Sequence, residues 1–126
     1  CFEHGDQGGT FNGNPLMAAV GCAVVTAVSK PEFLDQVAAT GELLAMELEH
    51  LSARYGFGDV RGQGLLRALA LGRDVGPQLV EQVRSDGLLL NAPKPDCLRF
   101  MPALNVTATE IETMIRILDR VCSERL

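Results

Sequence analysis

The feature that most constrains the fold is an apolar run, residues 15 to 28, that has helical spacing but no polar face. The pair Asn14–Pro15 in front of it is typical of a helix start, because Asn caps free N–H groups and Pro has none to cap. A helix that is apolar nearly all round must pack on several sides, either in a large core or against another subunit. We therefore expect a buried helix from Pro15 to about Ser29.

A glycine-rich loop, DQGGTFNGN from Asp6 to Asn14, leads into this helix. Glycine allows backbone angles that other residues avoid, so the N–H groups of such a loop can approach an anion. The hydroxyl of Thr10 would add a further donor. From the pattern alone, a tight turn before a capped helix is the favoured interpretation, and an anion site is the alternative.

The rest of the chain alternates helices and short strands, in the overall order α, α, β, β, α, β, β, α. Apolar residues at helical spacing, with a capping box at TATE, predict helices at about 32–54, 76–85 and from 108 onward. Short apolar runs bounded by Gly and Pro predict strands at 60–62, 65–71, 88–91 and 97–101, with a turn at 92–96. This order predicts an α+β fold with a small antiparallel-rich sheet covered by helices.

Composition excludes several classes of protein. The 126 residues carry a net charge of −5 with acids and bases interspersed, so no basic stripe favours nucleic-acid binding. The longest apolar run is too short to span a bilayer, and we expect no membrane association. Four cysteines form no CxxC pair and have no His at metal-ligand spacing. We therefore predict no metal, a reducing cytoplasm, and buried free thiols at Cys22 and Cys122.

Arg99 is the second candidate for a functional residue, because it stands at the centre of the short apolar strand CLRFM. An arginine there either points to solvent or holds an anion. Its guanidinium can bind a carboxylate through two parallel hydrogen bonds. Strand alternation by itself favours the solvent-facing interpretation. For Arg61, in VRGQGL, the simplest interpretation is a position beside a turn between two strands, with no catalytic role.

These segments together resemble the class III pyridoxal-phosphate (PLP) aminotransferases. The resemblance covers essentially the whole chain, in order, and is nearest to the acetylornithine branch of the family. It is carried by the segments GDQGGTFNGNPL (5–16), VRGQGL (60–65), GLLLN (87–91), LRFMPAL (98–104) and TATEI (107–111).

The resemblance implies a division of the chain and an activity. Residues 1–30 would be the cofactor-phosphate loop and a buried interdomain helix that comes from the large domain. Residues 31–126 would be the C-terminal small domain of a fold-type I PLP enzyme. The implied enzyme is a homodimer whose PLP site is shared between subunits, and it transfers the ω-amino group of N-acetylornithine to 2-oxoglutarate in arginine biosynthesis.

Other functions stay open at this point. The alternatives are an ornithine, succinylornithine or 4-aminobutyrate aminotransferase, an aminomutase or decarboxylase of the same fold, and a stand-alone α+β binding module. The glycine-rich loop and the all-round apolar helix argue against the stand-alone module, because it would leave both without a partner.

The resemblance also implies roles for individual residues. Thr10 matches the threonine that binds the PLP phosphate of the neighbouring subunit. Gly9 occupies the adjacent position, commonly Ser or Thr, that contacts substrate. Arg99 matches the arginine that holds the α-carboxylate of glutamate or 2-oxoglutarate. The sequence departs from the family pattern at Gln7, where His is usual, at Asn12, where Gly is common, and at the pair Arg67–Ala68.

No lysine of the chain looks able to carry out transamination. That reaction needs a lysine to hold the cofactor covalently and to move a proton. Lys30 and Lys94 are the two lysines, and both stand beside proline at predicted junctions or turns. The chain also begins Cys1-Phe2-Glu3-His4, without an initiator Met. We therefore interpret it as part of a longer enzyme, with no catalytic residue of its own and no activity alone.

Overall fold

The computed structural model describes residues 3–6 and 8–125, without the side chain of residue 125, so Cys1 and Gln7 lie outside the described residues. The order of helices and strands is the predicted one. The elements are α1 (Pro15–Val28), α2 (Pro31–Tyr55), β1 (Val60–Gln63), β2 (Leu66–Ala70), α3 (Gly76–Ser85), β3 (Asn91–Lys94), β4 (Cys97–Phe100) and α4 (Ala108–Arg125). The chain divides into two compact units, residues 1–35 and 36–126.

Helix α1 of the first unit begins as the sequence predicts. The side-chain oxygen of Asn14 accepts a hydrogen bond from the Leu16 N–H at 2.9 Å, and Pro15 fills the first turn. None of its residues is buried, and Leu16 and Val25 are 66% and 62% exposed. The described residues therefore do not provide the expected burial of this helix. The prediction of a buried thiol at Cys22 is wrong for the same reason, since that residue is exposed.

Among the described residues, no single helix has both the length and the apolar composition needed to cross a membrane. Helices α1 and α2 pass that test of length and composition only when they are taken together as a bent pair.

The second unit is built on a four-stranded sheet in the order β1-β2-β4-β3, with every pair antiparallel. Successive residues of a strand point to opposite faces. Leu69, Leu98 and Phe100 are at most 2% exposed and form the sheet's contribution to the core. The α+β architecture and the antiparallel sheet are confirmed.

Helices α2, α3 and α4 supply the other part of the core. Full burial of one leucine or isoleucine contributes about 1.5–3 kcal/mol, so a layer of this size holds the helices on the sheet. The buried helical residues are Leu44, Leu48, Leu51, Leu79, Val83, Ile111, Leu118, Val121 and Cys122. Burial of Cys122 confirms the prediction made for that thiol.

Strand β3 differs from the prediction in its position. It runs from Asn91 to Lys94 rather than from 88 to 91, and the turn that follows it shrinks to residues 95 and 96. The prediction placed a turn there because of the prolines. However, β3 pairs only with β4 and lies at the edge of the sheet. Proline has no N–H to donate to a neighbouring strand, and an edge strand tolerates it because one side of the strand has no neighbour.

The hairpin between β1 and β2 requires its glycines. Gly62 has φ +122°, and a Cβ there would lie 2.1 Å from the carbonyl oxygen of Leu66. Gly41 of α2 lies directly against the turn of the hairpin, because a Cβ at Gly41 would lie 2.7 Å from the carbonyl carbon of Gly64. The helix and the hairpin thus meet backbone to backbone.

Arg67 stabilises this contact between α2 and the hairpin. Its guanidinium donates to the carbonyl oxygens of Gly64 at 2.8 Å, Gly62 at 3.0 Å and Gly41 at 3.2 Å, and to the carboxylate of Glu42 at 3.0 Å. The side chain of Arg67 is only 11% exposed. The arginine at position 67, which departs from the family pattern, therefore has a structural role: it links the hairpin to α2.

Candidate functional site

Gly9 and Thr10 lie in the exposed loop that precedes α1. The loop is closed by two backbone hydrogen bonds, from the Asn12 N–H to the Gly9 carbonyl at 3.2 Å and from the Asn14 N–H to the Phe11 carbonyl at 3.1 Å. Neither the N–H nor the hydroxyl of Thr10 has a hydrogen-bond partner among the described residues. These two donors fit the oxygen atoms of a phosphate group.

The two departures at Gly9 and Asn12 are spatially linked. A Cβ added to Gly9 would lie 2.9 Å from both the Oδ1 and the Nδ2 atoms of Asn12. The amide of Asn12 thus occupies the space that a Ser or Thr side chain at position 9 would need. Gly9 is left with only its backbone for the substrate contact that the resemblance implies, and that role stays a prediction.

Arg99 lies in β4, between the buried residues Leu98 and Phe100, and is itself exposed. It is paired across the sheet with Ala68 of β2 and Asn91 of β3. Its side chain therefore points away from the core, as strand alternation predicts. It has no hydrogen-bond or ion-pair partner among the described residues, so the guanidinium remains available to an anion.

A cleft of about 420 Å³ lies beside this strand, between the segment before β3, the segment after β4 and the first turns of α4. Its walls are mostly apolar, and Asn91, Arg99 and Glu110 are the polar or charged members. An apolar cleft with a few polar groups is a common form of small-molecule site. The apolar lining consists of Leu44, Leu88, Leu89, Leu90, Phe100, Met101, Pro102, Val106, Ile111 and Met114.

The carboxylate of Glu110 is already occupied by the predicted capping box. It accepts hydrogen bonds at 2.8 Å from the Thr107 N–H and the Thr107 hydroxyl. These bonds, the backbone one above all, hold the pKa of Glu110 below its usual value. The carboxylate thus caps α4 and forms no ion pair with Arg99.

The other perturbed groups have structural explanations. Burial raises the pKa of the Cys122 thiol to about 11, so it stays protonated and unreactive near neutral pH. Burial and a hydrogen bond to Asp119 raise the pKa of Tyr55. The Tyr55 hydroxyl lies 2.9 Å from an Asp119 carboxylate oxygen, and Arg54 contacts the same carboxylate at 2.9 Å. These contacts join α2 to α4, and periodicity alone does not predict them.

Neither lysine is placed like a residue that holds a cofactor covalently. Lys30 is exposed between α1 and α2, and Lys94 is exposed at the end of the edge strand β3. In the part of the chain that the structure describes, no three His, Cys, Asp or Glu side chains are grouped to hold a metal ion. Gly9 and Thr10 are adjacent in the first unit, and Asn91 and Arg99 are adjacent in the second unit.

Comparison with known proteins gives one consistent result. The family model "Aminotransferase class-III" matches residues 1–122. The chain is 58% identical over 120 residues to the acetylornithine aminotransferase of Ralstonia nicotianae, which covers 93% of the chain and 30% of that protein. It is 52% identical over 123 residues to acetylornithine aminotransferase 2 of Bordetella parapertussis, with 95% and 31% covered.

Solved structures agree in fold. The N-acetylornithine aminotransferase of Stenotrophomonas maltophilia superposes with a TM-score of 0.83 at 28% identity, over 89% of the chain and 32% of that protein. The acetylornithine aminotransferase of Elizabethkingia anophelis gives the same TM-score at 26% identity, over 98% and 33%. The ω-transaminase of Pseudomonas jessenii, solved in complex with PMP, shares the fold at 22% identity, with a TM-score of 0.82 over 94% of the chain and 28% of that protein.

The chain spans about 30% of the length of the curated relatives just described. The family match extends over nearly all of its own residues, including the loop at Thr10, the sheet at Arg99 and most of the last helix. The chain belongs to the class III aminotransferases, a family of PLP-dependent enzymes.

Proposed function

We propose that this chain is the C-terminal part of an acetylornithine aminotransferase. The whole enzyme transfers the ω-amino group of N-acetylornithine to 2-oxoglutarate, as a step in arginine biosynthesis. The identities of 58% and 52% with two proteins of that name carry the proposal. The unpartnered guanidinium of Arg99 beside a cleft supports it chemically.

We assign residues 1–30 to the cofactor-phosphate loop and the helix that connects it to the large domain, and residues 31–126 to the small domain. The exposed apolar face of α1 supports this assignment, since such a surface needs a cover that the chain itself does not provide. The proposed assembly is a cytoplasmic homodimer with PLP sites shared between subunits.

Thr10 and Arg99 hold the two anionic ends of the site in this proposal. The N–H and hydroxyl of Thr10 donate to the PLP phosphate, and no protein group among the described residues competes for them. Arg99 donates two parallel hydrogen bonds to the α-carboxylate of glutamate or 2-oxoglutarate. Gly9 contributes its backbone to the substrate contact. When bound, PLP supplies the electron sink for the reaction.

The chain alone is expected to be inactive, since Lys30 and Lys94 are both exposed. Incubation with PLP, borohydride reduction and intact-mass measurement test this point. We expect no specific incorporation. Stoichiometric labelling of either lysine would show that the covalent attachment site lies in this chain, contrary to the proposal.

The amino donor is tested on the full-length enzyme that contains this chain. N-acetylornithine, N-succinylornithine, ornithine and 4-aminobutyrate are compared as donors to 2-oxoglutarate at equal enzyme concentration. We expect the highest kcat/KM for N-acetylornithine. A higher value for another of the four would reassign the donor within the family, and the absence of transamination with every donor would overturn the proposed reaction.

A further inference from the structure

Arg99 has two very different neighbours in the sheet. Ala68 of β2 is directly opposite it on one side, and Asn91 of β3 is directly opposite it on the other. Residues opposite each other on antiparallel strands point to the same face, with Cβ atoms about 4.5–5.5 Å apart. Ala68 presents only a methyl group, whereas the carboxamide of Asn91 can accept and donate hydrogen bonds. Of these two neighbours, only Asn91 can therefore interact with the guanidinium through its side chain.

An irregularity in β3 brings Asn91 into this register. Asn91 pairs with Arg99 and Lys94 pairs with Cys97, so three steps along β3 correspond to two steps along β4. One extra residue of β3 is accommodated between the two pairs, as in a β-bulge. With regular pairing from Lys94, the residue opposite Arg99 would be Ala92. The bulge thus places a polar side chain, rather than a methyl group, beside Arg99.

Asn91 and Arg99 also border the same cleft. Both residues are exposed, and both line the cleft of about 420 Å³. Neither side chain forms a hydrogen bond or an ion pair with another residue in the part of the chain that the structure describes. The third polar residue of the lining, Glu110, accepts hydrogen bonds from Thr107 at 2.8 Å and caps α4. Asn91 is thus the uncharged polar residue of this lining, and it lies beside Arg99.

A carboxylate bound to Arg99 would create a need for an uncharged acceptor at this position. A guanidinium has five N–H groups, and a carboxylate held through two parallel hydrogen bonds satisfies only two of them. A ligand in the cleft also displaces water from the other N–H groups, and a polar group that loses water without gaining a partner costs free energy. The oxygen of a carboxamide accepts from such a group without cancelling the positive charge. A carboxylate in its place would pair with Arg99 and compete with the ligand.

We propose that Asn91 is a positioning residue for Arg99. Its Oδ1 atom accepts a hydrogen bond from the Nε–H of Arg99 when the two terminal nitrogens of the guanidinium bind a carboxylate. The Oδ1 atom is two bonds beyond its Cβ and the Nε atom three bonds beyond its own, so the two atoms can meet across a Cβ separation of about 5 Å. This inference rests on the proposed function, in which Arg99 binds the α-carboxylate of glutamate or 2-oxoglutarate.

The experiment measures kcat/KM for 2-oxoglutarate and for N-acetylornithine with the full-length enzyme and its Asn91→Leu and Asn91→Asp variants. Each substrate reacts in its own half-reaction, so its kcat/KM reports on that half. Asn91→Leu should lower the value for 2-oxoglutarate about tenfold, chiefly by raising KM, because one hydrogen bond to a charged group is lost. Asn91→Asp should lower it further, because the new carboxylate pairs with Arg99. The value for N-acetylornithine should change less than about twofold, since its carboxylate lies several bonds from the reacting ω-amino group.

Gln63→Leu is the matched control, because Gln63 is an exposed carboxamide on the other edge strand, β1, and does not line the cleft. It should leave both values unchanged. If Asn91→Leu does not fold, Asn91→Asp decides alone, since it keeps the size and polarity of the side chain. An equal loss for both substrates, or no loss for 2-oxoglutarate, would overturn the role of Asn91 and leave the proposed function standing. A wild-type enzyme that does not transfer an amino group between the two substrates would overturn both.

Discussion

Arg67 offers the sharpest stability prediction, because one buried guanidinium connects three carbonyl groups and one carboxylate. In Arg67→Met the apolar stem is largely retained and the donors are lost. The carbonyls of Gly64 and Gly41 are the partners that matter most, since Gly62 is exposed and water can replace the lost donor there. A hydrogen bond to a charged group is worth about 1.5–3 kcal/mol, and part of that is recovered by solvation.

We therefore expect Arg67→Met to destabilise the hairpin against α2 by about 2–4 kcal/mol. The ion pair with Glu42 contributes little of this, because the Glu42 side chain is 81% exposed and surface pairs are worth at most about 1 kcal/mol. Glu42→Gln is thus the matched control and should cost less than about 1 kcal/mol.

Amide hydrogen exchange of residues 60–70 in the full-length protein measures this locally, and urea unfolding measures it globally. We expect the hairpin amides to exchange faster by roughly 30-fold or more in Arg67→Met, and little change in Glu42→Gln, since each 1.4 kcal/mol is tenfold. Equal and small effects in the two variants would refute the reasoning, because they would mean that the hydrogen bonds to the hairpin carbonyls contribute nothing measurable.

Four further outcomes follow from the structure. Gly41→Ala should destabilise the protein by about 3 kcal/mol or more, because the new methyl group meets the backbone of Gly64 rather than a movable side chain. Thermal unfolding measures this, and an unchanged unfolding temperature would contradict the close approach at Gly64. Tyr55→Phe should cost about 1 kcal/mol in urea unfolding by removing the hydrogen bond to Asp119, and an unchanged midpoint would count against that bond. Cys122 should resist alkylation at pH 8 in the native state, because burial raises its pKa to about 11 and keeps the thiol protonated; rapid native-state labelling, detected by mass spectrometry, would contradict this burial. The raised pKa stabilises the folded protein fully below the ordinary thiol value of 9.0, and this contribution is lost as the pH rises toward 11. In the full-length enzyme, Thr10→Ala should weaken PLP binding about tenfold or more, measured by cofactor titration of the apoenzyme, and unchanged affinity would remove Thr10 from the phosphate site.

Local signals in the sequence were sufficient for the order of elements and for several element ends. The cap at Asn14, the box at Thr107–Glu110 and the bounds of α3 depend on residues within a few positions of each other, and all are found as predicted. Features that depend on distant pairing were not predictable in this way. The position of β3 was misjudged because the tolerance of Pro93 depends on which strand lies at the sheet edge.

The same distinction applies to the candidate site. The resemblance selected Thr10, Gly9 and Arg99, but the pattern at Arg61 indicated only a turn. Its position in register with Arg99, two strands away with Ala68 between them, depends on the pairing of β1, β2 and β4, which no local spacing reveals. The close approach of the Asn12 side chain to Gly9 depends likewise on the fold of the loop, because each residue looks like an independent departure in the sequence.

The most direct measurement of the central claim is the single-turnover reaction of the PLP form of the full-length enzyme with glutamate, in the wild type and in Arg99→Lys. If Arg99 holds the α-carboxylate, the lysine variant should lose a few kcal/mol in kcat/KM, on the order of a hundredfold, because an ammonium cannot reproduce the paired hydrogen bonds. Circular dichroism and PLP content should remain those of the wild type. A correctly folded, PLP-loaded Arg99→Lys enzyme that reacts with glutamate at the wild-type rate would contradict the account.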